Sequence, residues 1–178
     1  MSGRAGAPRR IHLLRHAKSD WSDGSLRDRE RPLAPRGRKA CRALARHLRE
    51  HPLGVELVLC STARRARETL DGVAEALGDV EVRYEEAIYG ASARELLEFV
   101  RGLPEEVGSV LLVGHNPGFE TFALLLAGEG SESAGVDAMR AKYPTGALAS
   151  FEGPGSWSAV GPGSCALRAF VRPRELGG

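Results

Sequence analysis

Apolar positions fall in short runs of strand length, at 10–15 ("RIHLLR"), 55–60 ("VELVLC"), 80–84 and 109–114 ("SVLLVG"). Between them the apolar spacing changes to the helical period. In "PRGRKACRALARHLREH", Cys41, Leu44, Ala45 and Leu48 make one stripe, and Arg38, Arg42, Arg46 and Arg49 fall largely elsewhere. The same reading predicts helices over roughly 62–77 and 92–102. A fourth is expected after Asn116, a good N-cap, with Pro117 at the first helical position. Strands alternating with helices predict an α/β fold, a sheet at least partly parallel and sandwiched between helices. After residue 145 the runs become "GALASFEG", "SWSAV" and "CALRAFV", separated by Gly and Pro. They are expected to be closing strands, antiparallel and near an edge. The stretch 128–144 contains Gly and Ser and receives no assignment.

At 178 residues the chain suits one domain with a sizeable core. The division expected is a loose tail over 1–9, a domain over 10–173 and a C-terminal tail over 174–178. With 42% hydrophobic and 27% charged residues, neither a disordered nor a fibrous class fits. A net charge of +2 with few aromatics argues against nucleic acid as a partner. No apolar run reaches the length of a membrane span, and "MSGRAGAPRR" is basic but lacks the hydrophobic segment of a secretory signal. Cys41, Cys60 and Cys165 are odd in number and far apart, which points to reduced thiols and a cytoplasmic location.

Charge changes the picture where the strands end. The first apolar run stops at Arg15 and His16, and the second at Cys60-Ser61-Thr62 just before Arg64, Arg65 and Arg67. The fourth stops at Gly114-His115-Asn116. In open α/β sheets the ligand crevice lies beyond the carboxyl ends of the strands, so these histidines and arginines are expected to meet in one pocket. The set has no acid to complete a Ser-His-Asp triad. Arginine forks and helix N-termini instead suit a phosphate dianion.

Competing motifs are weaker. "HLREH" (His47–His51) matches the H-x-x-E-H pattern of inverted zincins, but it sits in the last turn before Pro52 and no third ligand is evident. His12 is expected to be a strand residue facing cover or solvent. No phosphate-binding P-loop, dinucleotide turn or serine-hydrolase elbow is present. The six basic residues between Arg36 and Arg49 are expected to form a solvated helix face, with an acidic protein partner as the minor alternative.

"LLRHAKSDW" resembles the L-x-R-H-G-x-[ST]-x-W signature of the histidine phosphatase superfamily, and "CSTARRARETL" its S-x-x-x-R-A-x-x-T segment. "GHNPGFE" and "YPTGALASF" look like the small phosphohistidine phosphatase branch. The resemblance runs from residue 11 to about 151 and implies a phosphoglycerate mutase-like, three-layer α/β/α sandwich with a mainly parallel central sheet. It implies His16 as the phosphate-accepting nucleophile, with Arg15, Arg65 and His115 binding the phosphoryl oxygens. Ser19, Ser22 and Asn116 would help to bind substrate. "EAIYG" resembles the segment in which mutases place their acid, pointing to Glu86. Ala17 replaces the usual glycine and should crowd the turn slightly, while Lys18 replaces the acidic residue of the mutases. The implied chemistry needs neither metal nor cofactor. The implied partner is a phosphorylated protein of the histidine-containing transfer type, or alternatively a small phosphoester. Membership without turnover would leave a phosphate-binding module.

Overall fold

The first apolar run forms strand β1 (Arg10–Arg15), and its alternation sorts the core into two layers. Ile11 and Leu13 point to one face of the sheet and Leu14 to the other, where two separate apolar clusters lie. The computed structural model describes residues 6–177. The chain continues through α1 (Pro35–Glu50), β2 (Leu57–Ser61), α2 (Arg64–Leu77), β3 (Glu81–Glu85) and α3 (Ala93–Arg101). It ends with β4 (Ser109–Gly114), α4 (Gly118–Leu126), α5 (Ser133–Ala141), β5 (Leu148–Glu152) and β6 (Ala166–Val171).

These strands form one sheet in the order β3-β2-β4-β1-β5-β6. The first four are parallel, and β5 and β6 run antiparallel to their neighbours. β5 is therefore internal, paired on both sides, and β6 is the edge strand at this end of the sheet. The apolar stripes of α1 (Cys41, Leu44, Leu48) and α2 (Ala66, Leu70, Val73) cover the face that carries Leu14, Val58 and Val113. Helices α3, α4 and α5 cover the opposite face, where Leu96, Phe119, Phe122 and Met139 pack on Ile11, Leu59 and Leu112. The expected sandwich of helix, sheet and helix is what forms.

Four local expectations are corrected. "SWSAV" is not a strand: Trp157–Ala159 make a single 3-10 turn. Trp157 is fully buried and donates its indole N–H to the Val107 carbonyl (2.7 Å), so its polar group is satisfied away from any sheet. Helix α4 begins at Gly118, with Pro117 at the N-cap position in place of Asn116. Gly118 lies under the Ala91 carbonyl, where a Cβ would stand 2.1 Å from the oxygen. Asn116 still caps, since its Oδ1 accepts the Glu120 N–H (3.1 Å).

The tails are also shorter than expected. Arg9 is buried, bonded to Glu105 (2.6 Å) and to the Val107 carbonyl (3.2 Å), so the packed chain begins before β1. At the other end Pro173–Glu175 form a 3-10 turn, and Leu176 packs on the α1–α2 side of the core. Residues 1–5 of the expected N-terminal tail, and residue 178, lie outside the described residues. The unassigned stretch contains α5 and leads into the fully buried Tyr143, whose hydroxyl donates to the Leu13 carbonyl (2.6 Å). All three cysteines are buried and free.

Candidate active site

β1 and β4 are parallel neighbours, yet the chain leaves β1 toward one face and β4 toward the other. Such a parting opens a crevice beyond the strand ends. His16 follows β1 and His115 follows β4, and the His16 N–H donates to the Gly114 carbonyl (2.9 Å), tying the two ends together. The imidazoles lie 5.2 Å apart between ring centroids, and both are buried.

The His16 ring is oriented by the backbone. Its Nδ1 lies 2.7 Å from the Ala17 carbonyl, and a carbonyl can only accept, so Nδ1 carries the proton. Nε2 of the neutral ring is then left with its lone pair. Burial lowers the His16 pKa to about 4; the Ala17 bond opposes this, and Arg65 and Arg15 add to it. The loop itself is pinned, because the Ala17 N–H donates to Thr69 Oγ1 (2.9 Å), which donates on to the Arg65 carbonyl (2.7 Å).

His115 Nε2 contacts Ser61 Oγ at 2.7 Å, which brings the end of β2 into the same crevice. Its Nδ1 is buried without a hydrogen-bond partner among the described residues. Burial first, then His16 and Arg65, lower its pKa to about 3. Arg15 donates to the Tyr143 carbonyl (2.8 Å), and burial lowers its pKa as well. Arg65, at the start of α2, donates to the Asp28 carbonyl (2.7 Å) and carboxylate (3.0 Å). Two neutral imidazoles thus share a crevice with two guanidinium groups, an environment for an anion.

The remaining expected residues are placed differently from this core. Glu86 accepts from Thr62 (2.6 Å) and pairs with Arg29, at the side of the crevice and largely exposed. Ser19 is buried and accepts the Trp21 indole N–H (2.9 Å), a contact that braces the loop. Ser22 is exposed in a turn, with its N–H donating to Asp20 (2.8 Å). The Asn116 amide donates to the Tyr143 carbonyl (3.1 Å), the same oxygen that Arg15 uses.

Asp28 was not legible in the sequence. Its carboxylate accepts from Arg65 and from the Tyr89 hydroxyl (2.5 Å), and both bonds hold its pKa below the usual carboxylate range. It lies close enough to raise the pKa of both histidines slightly. Tyr89 also meets His115 edge-on, with centroids 5.5 Å apart. Tyr89 stands in the quoted "EAIYG" segment and could have been found there; one aspartate in the polar run "DGSLRDRERP" offers no such signal. Elsewhere, His12 is buried within the sheet and bonded to Ser150 (2.8 Å), its pKa lowered to about 4 mainly by burial. His47 and His51 stack on each other at the end of α1, with centroids 4.5 Å apart.

The sequence profile of the histidine phosphatase superfamily (branch 1) matches residues 11–95. The chain is 39% identical over 162 residues to the uncharacterized protein Rv1276c of Mycobacterium tuberculosis (strain H37Rv), covering 90% of this chain and all of that one. The structure is similar to that of a candidate phosphohistidine phosphatase SixA from Nakamurella multipartitia, with a TM-score of 0.81 and 30% identity over 94% of this chain and 97% of that one. A second SixA candidate, from Agrobacterium tumefaciens, matches with a TM-score of 0.79 and 30% identity over 93% and 99% of the two chains. With this profile and these relatives, the chain belongs to the histidine phosphatase superfamily and is a phosphatase.

Proposed function

We propose that the enzyme hydrolyses phosphohistidine on proteins through a phosphorylated His16, without a metal ion. The observation that carries this reading is the Nδ1–H bond from His16 to the Ala17 carbonyl, which presents an unprotonated Nε2 in a pocket with two arginines. In the first step the Nε2 lone pair attacks phosphorus in line. The bond to the substrate imidazole breaks, and its electron pair leaves with that ring, which departs neutral when its other nitrogen carries the proton. Arg15, Arg65 and His115 balance the oxygens' charge as it redistributes. For His115 to donate from Nδ1–H, its Nε2 accepts the hydrogen bond that the Ser61 hydroxyl donates. In the second step water attacks the phosphoenzyme, inorganic phosphate leaves, and His16 is regenerated. The SixA likeness at 30% identity supports the protein phosphohistidine substrate. Three buried free thiols are compatible with a reducing compartment, and we place the enzyme in the cytoplasm.

The test is turnover of a phosphohistidine peptide and of p-nitrophenyl phosphate in EDTA, with trapping of labelled enzyme. The label should be acid-labile and map to His16. A label on His115, or activity that returns only with added metal, overturns the mechanism.

A second reading, hydrolysis of a small phosphomonoester, is favoured by Glu86, a carboxylate held by Thr62 at the end of β2. An alkoxide leaving group needs a proton, and general acid catalysis supplies about 100- to 10,000-fold where it operates. Under this reading Glu86→Gln slows alkyl phosphates at least about tenfold and leaves phosphohistidine and aryl esters nearly unchanged. Equal rates before and after the substitution on all three substrates would remove the small-ester reading.

A further inference from the structure

The loop that carries His16 also walls a second concavity, about 580 Å³ in volume. Its charged lining is Lys18 beyond His16, Arg36 and Lys39 on α1, Lys142 after α5, and Arg172 and Arg174 at the C-terminal turn. The rest of the lining is alanine and proline with Thr145 and Gly177, and no carboxylate lines it. Among the described residues Arg172 is the one of the six that is ion-paired, with Glu175 at 2.7 Å; Arg174 also lies near that carboxylate. The first turn of α1 borders the groove and contains no acidic residue, so the positive end of the helix dipole is left uncompensated there.

This concentration of charge does not follow from composition. The chain as a whole carries only +2, yet four separate segments bring six cations to one wall. The groove and the catalytic loop are also joined. The Gly146 N–H donates to the carbonyls of both Arg15 and His16 (3.0 Å each), and a Cβ on Gly146 would lie 2.9 Å from Pro173 and 3.9 Å from Ala17. The lysine wall, the C-terminal turn and the nucleophile's loop therefore meet at one point.

The form of the cations indicates what they hold. In the phosphate pocket Arg65 is buried and fixed by two hydrogen bonds, the geometry for one compact dianion. In the groove Lys18, Arg36, Lys39, Lys142 and Arg174 are exposed. Exposed, long and separately mounted cations suit dispersed carboxylates on a polypeptide, where charge complementarity sets encounter rate and partner choice. We propose that this groove holds a carboxylate-rich segment of the phosphorylated protein substrate while its phosphohistidine occupies the pocket beside His16. The proposal rests on the protein-phosphohistidine reading above.

The test uses two synthetic peptides carrying central phosphohistidine, one flanked by Asp and Glu and the other by Asn and Gln. p-Nitrophenyl phosphate, too small to reach the groove, is the control. At low salt kcat/KM for the acidic peptide should exceed that for the neutral one by about tenfold, and the gap should close as ionic strength shortens the screening length. A Lys39→Glu, Arg174→Glu double variant should raise KM for the acidic peptide by a similar factor without lowering kcat. It should leave the neutral peptide and p-nitrophenyl phosphate unchanged. Equal kcat/KM for the two peptides, or a variant that slows all three substrates alike, overturns the proposal. So does tight binding of tripolyphosphate in the groove with no preference between peptides, which would assign it to a small polyanion. Failure of the underlying substrate reading has a different signature: p-nitrophenyl phosphate is turned over and neither peptide is.

Discussion

Arg65 shows how one side chain can serve two partners. Its guanidinium is held by Asp28, and in the proposed mechanism the same group also meets a phosphoryl oxygen. The Asp28 carboxylate is ionised, held so by Tyr89 and Arg65, and it lies near enough to both site imidazoles to act on their charge. Asp28→Asn should therefore tighten inhibition by inorganic phosphate, by about three- to tenfold for a repulsion of roughly 1 kcal/mol. Weaker inhibition would mean that Asp28 matters more for orienting Arg65 than for repelling the anion. The two histidines should separate cleanly in the same assay. Under the proposed mechanism His16→Ala removes the atom that bonds to phosphorus and should abolish turnover. His115→Ala removes one stabilising donor, worth about 3 kcal/mol, and should leave roughly one part in a hundred of the rate. A His16→Ala enzyme that still releases phosphate at a measurable catalytic rate contradicts the covalent route.

At the scale of elements, the catalytic loop depends on how closely α1 approaches it. Gly37 lies against Lys18, where a Cβ would stand 2.2 Å from the carbonyl oxygen, and that oxygen also accepts the Ala34 N–H (2.8 Å). Backbone on both sides leaves no flexible atom to yield. Gly37→Ala should cost about 1–3 kcal/mol in urea unfolding and lower kcat together with stability, because the strain falls on the loop holding His16. Unchanged stability and kcat would show that α1 and the loop separate freely. Helices α1 to α3 and the inner parallel strands were legible because their apolar spacing is unbroken. "SWSAV" was misread because three apolar residues in five satisfy a strand pattern as readily as a buried turn. Helix α5 was missed because only Met139 in it is buried, too few positions to show a period.

For the whole molecule, three of the histidines are buried with lowered pKa: His12 and His16 at about 4 and His115 at about 3. An unfolded chain holds histidine near 6.5, so between that value and about 4 the unfolded state binds more protons. Stability should be full above the unfolded value and fall as the pH drops through the window, by about 1.4 kcal/mol per pH unit separating the two values for each group. Urea midpoints measured between neutrality and pH of about 4.5 should decline steadily. A flat profile would mean that the rings are protonated in the fold. The kcat/KM of native enzyme should lose its acidic limb only near the His16 value, well below that of a free imidazole.

Local order along the chain determined a good part of this. Short continuous apolar runs specified β1, β2 and β4, buried on both faces, and helical spacing specified α1 and α2. Parallel strands oblige functional groups to gather at one end of a sheet, so Arg15, His16, Arg65 and His115 could be grouped from strand ends alone. What the tertiary structure decided lies in contacts between residues far apart in sequence. Asp28 meets Arg65 and Tyr89 across 37 and 61 positions, and Arg15 meets the Tyr143 carbonyl across 128. The tautomer of His16 depends on which backbone oxygen the turn presents to its ring. The cationic groove exists because strand order brings Lys18, Lys142 and Arg174 to one wall. Periodicity reports which face of an element is buried; it carries no information about which distant group that element's polar end will meet.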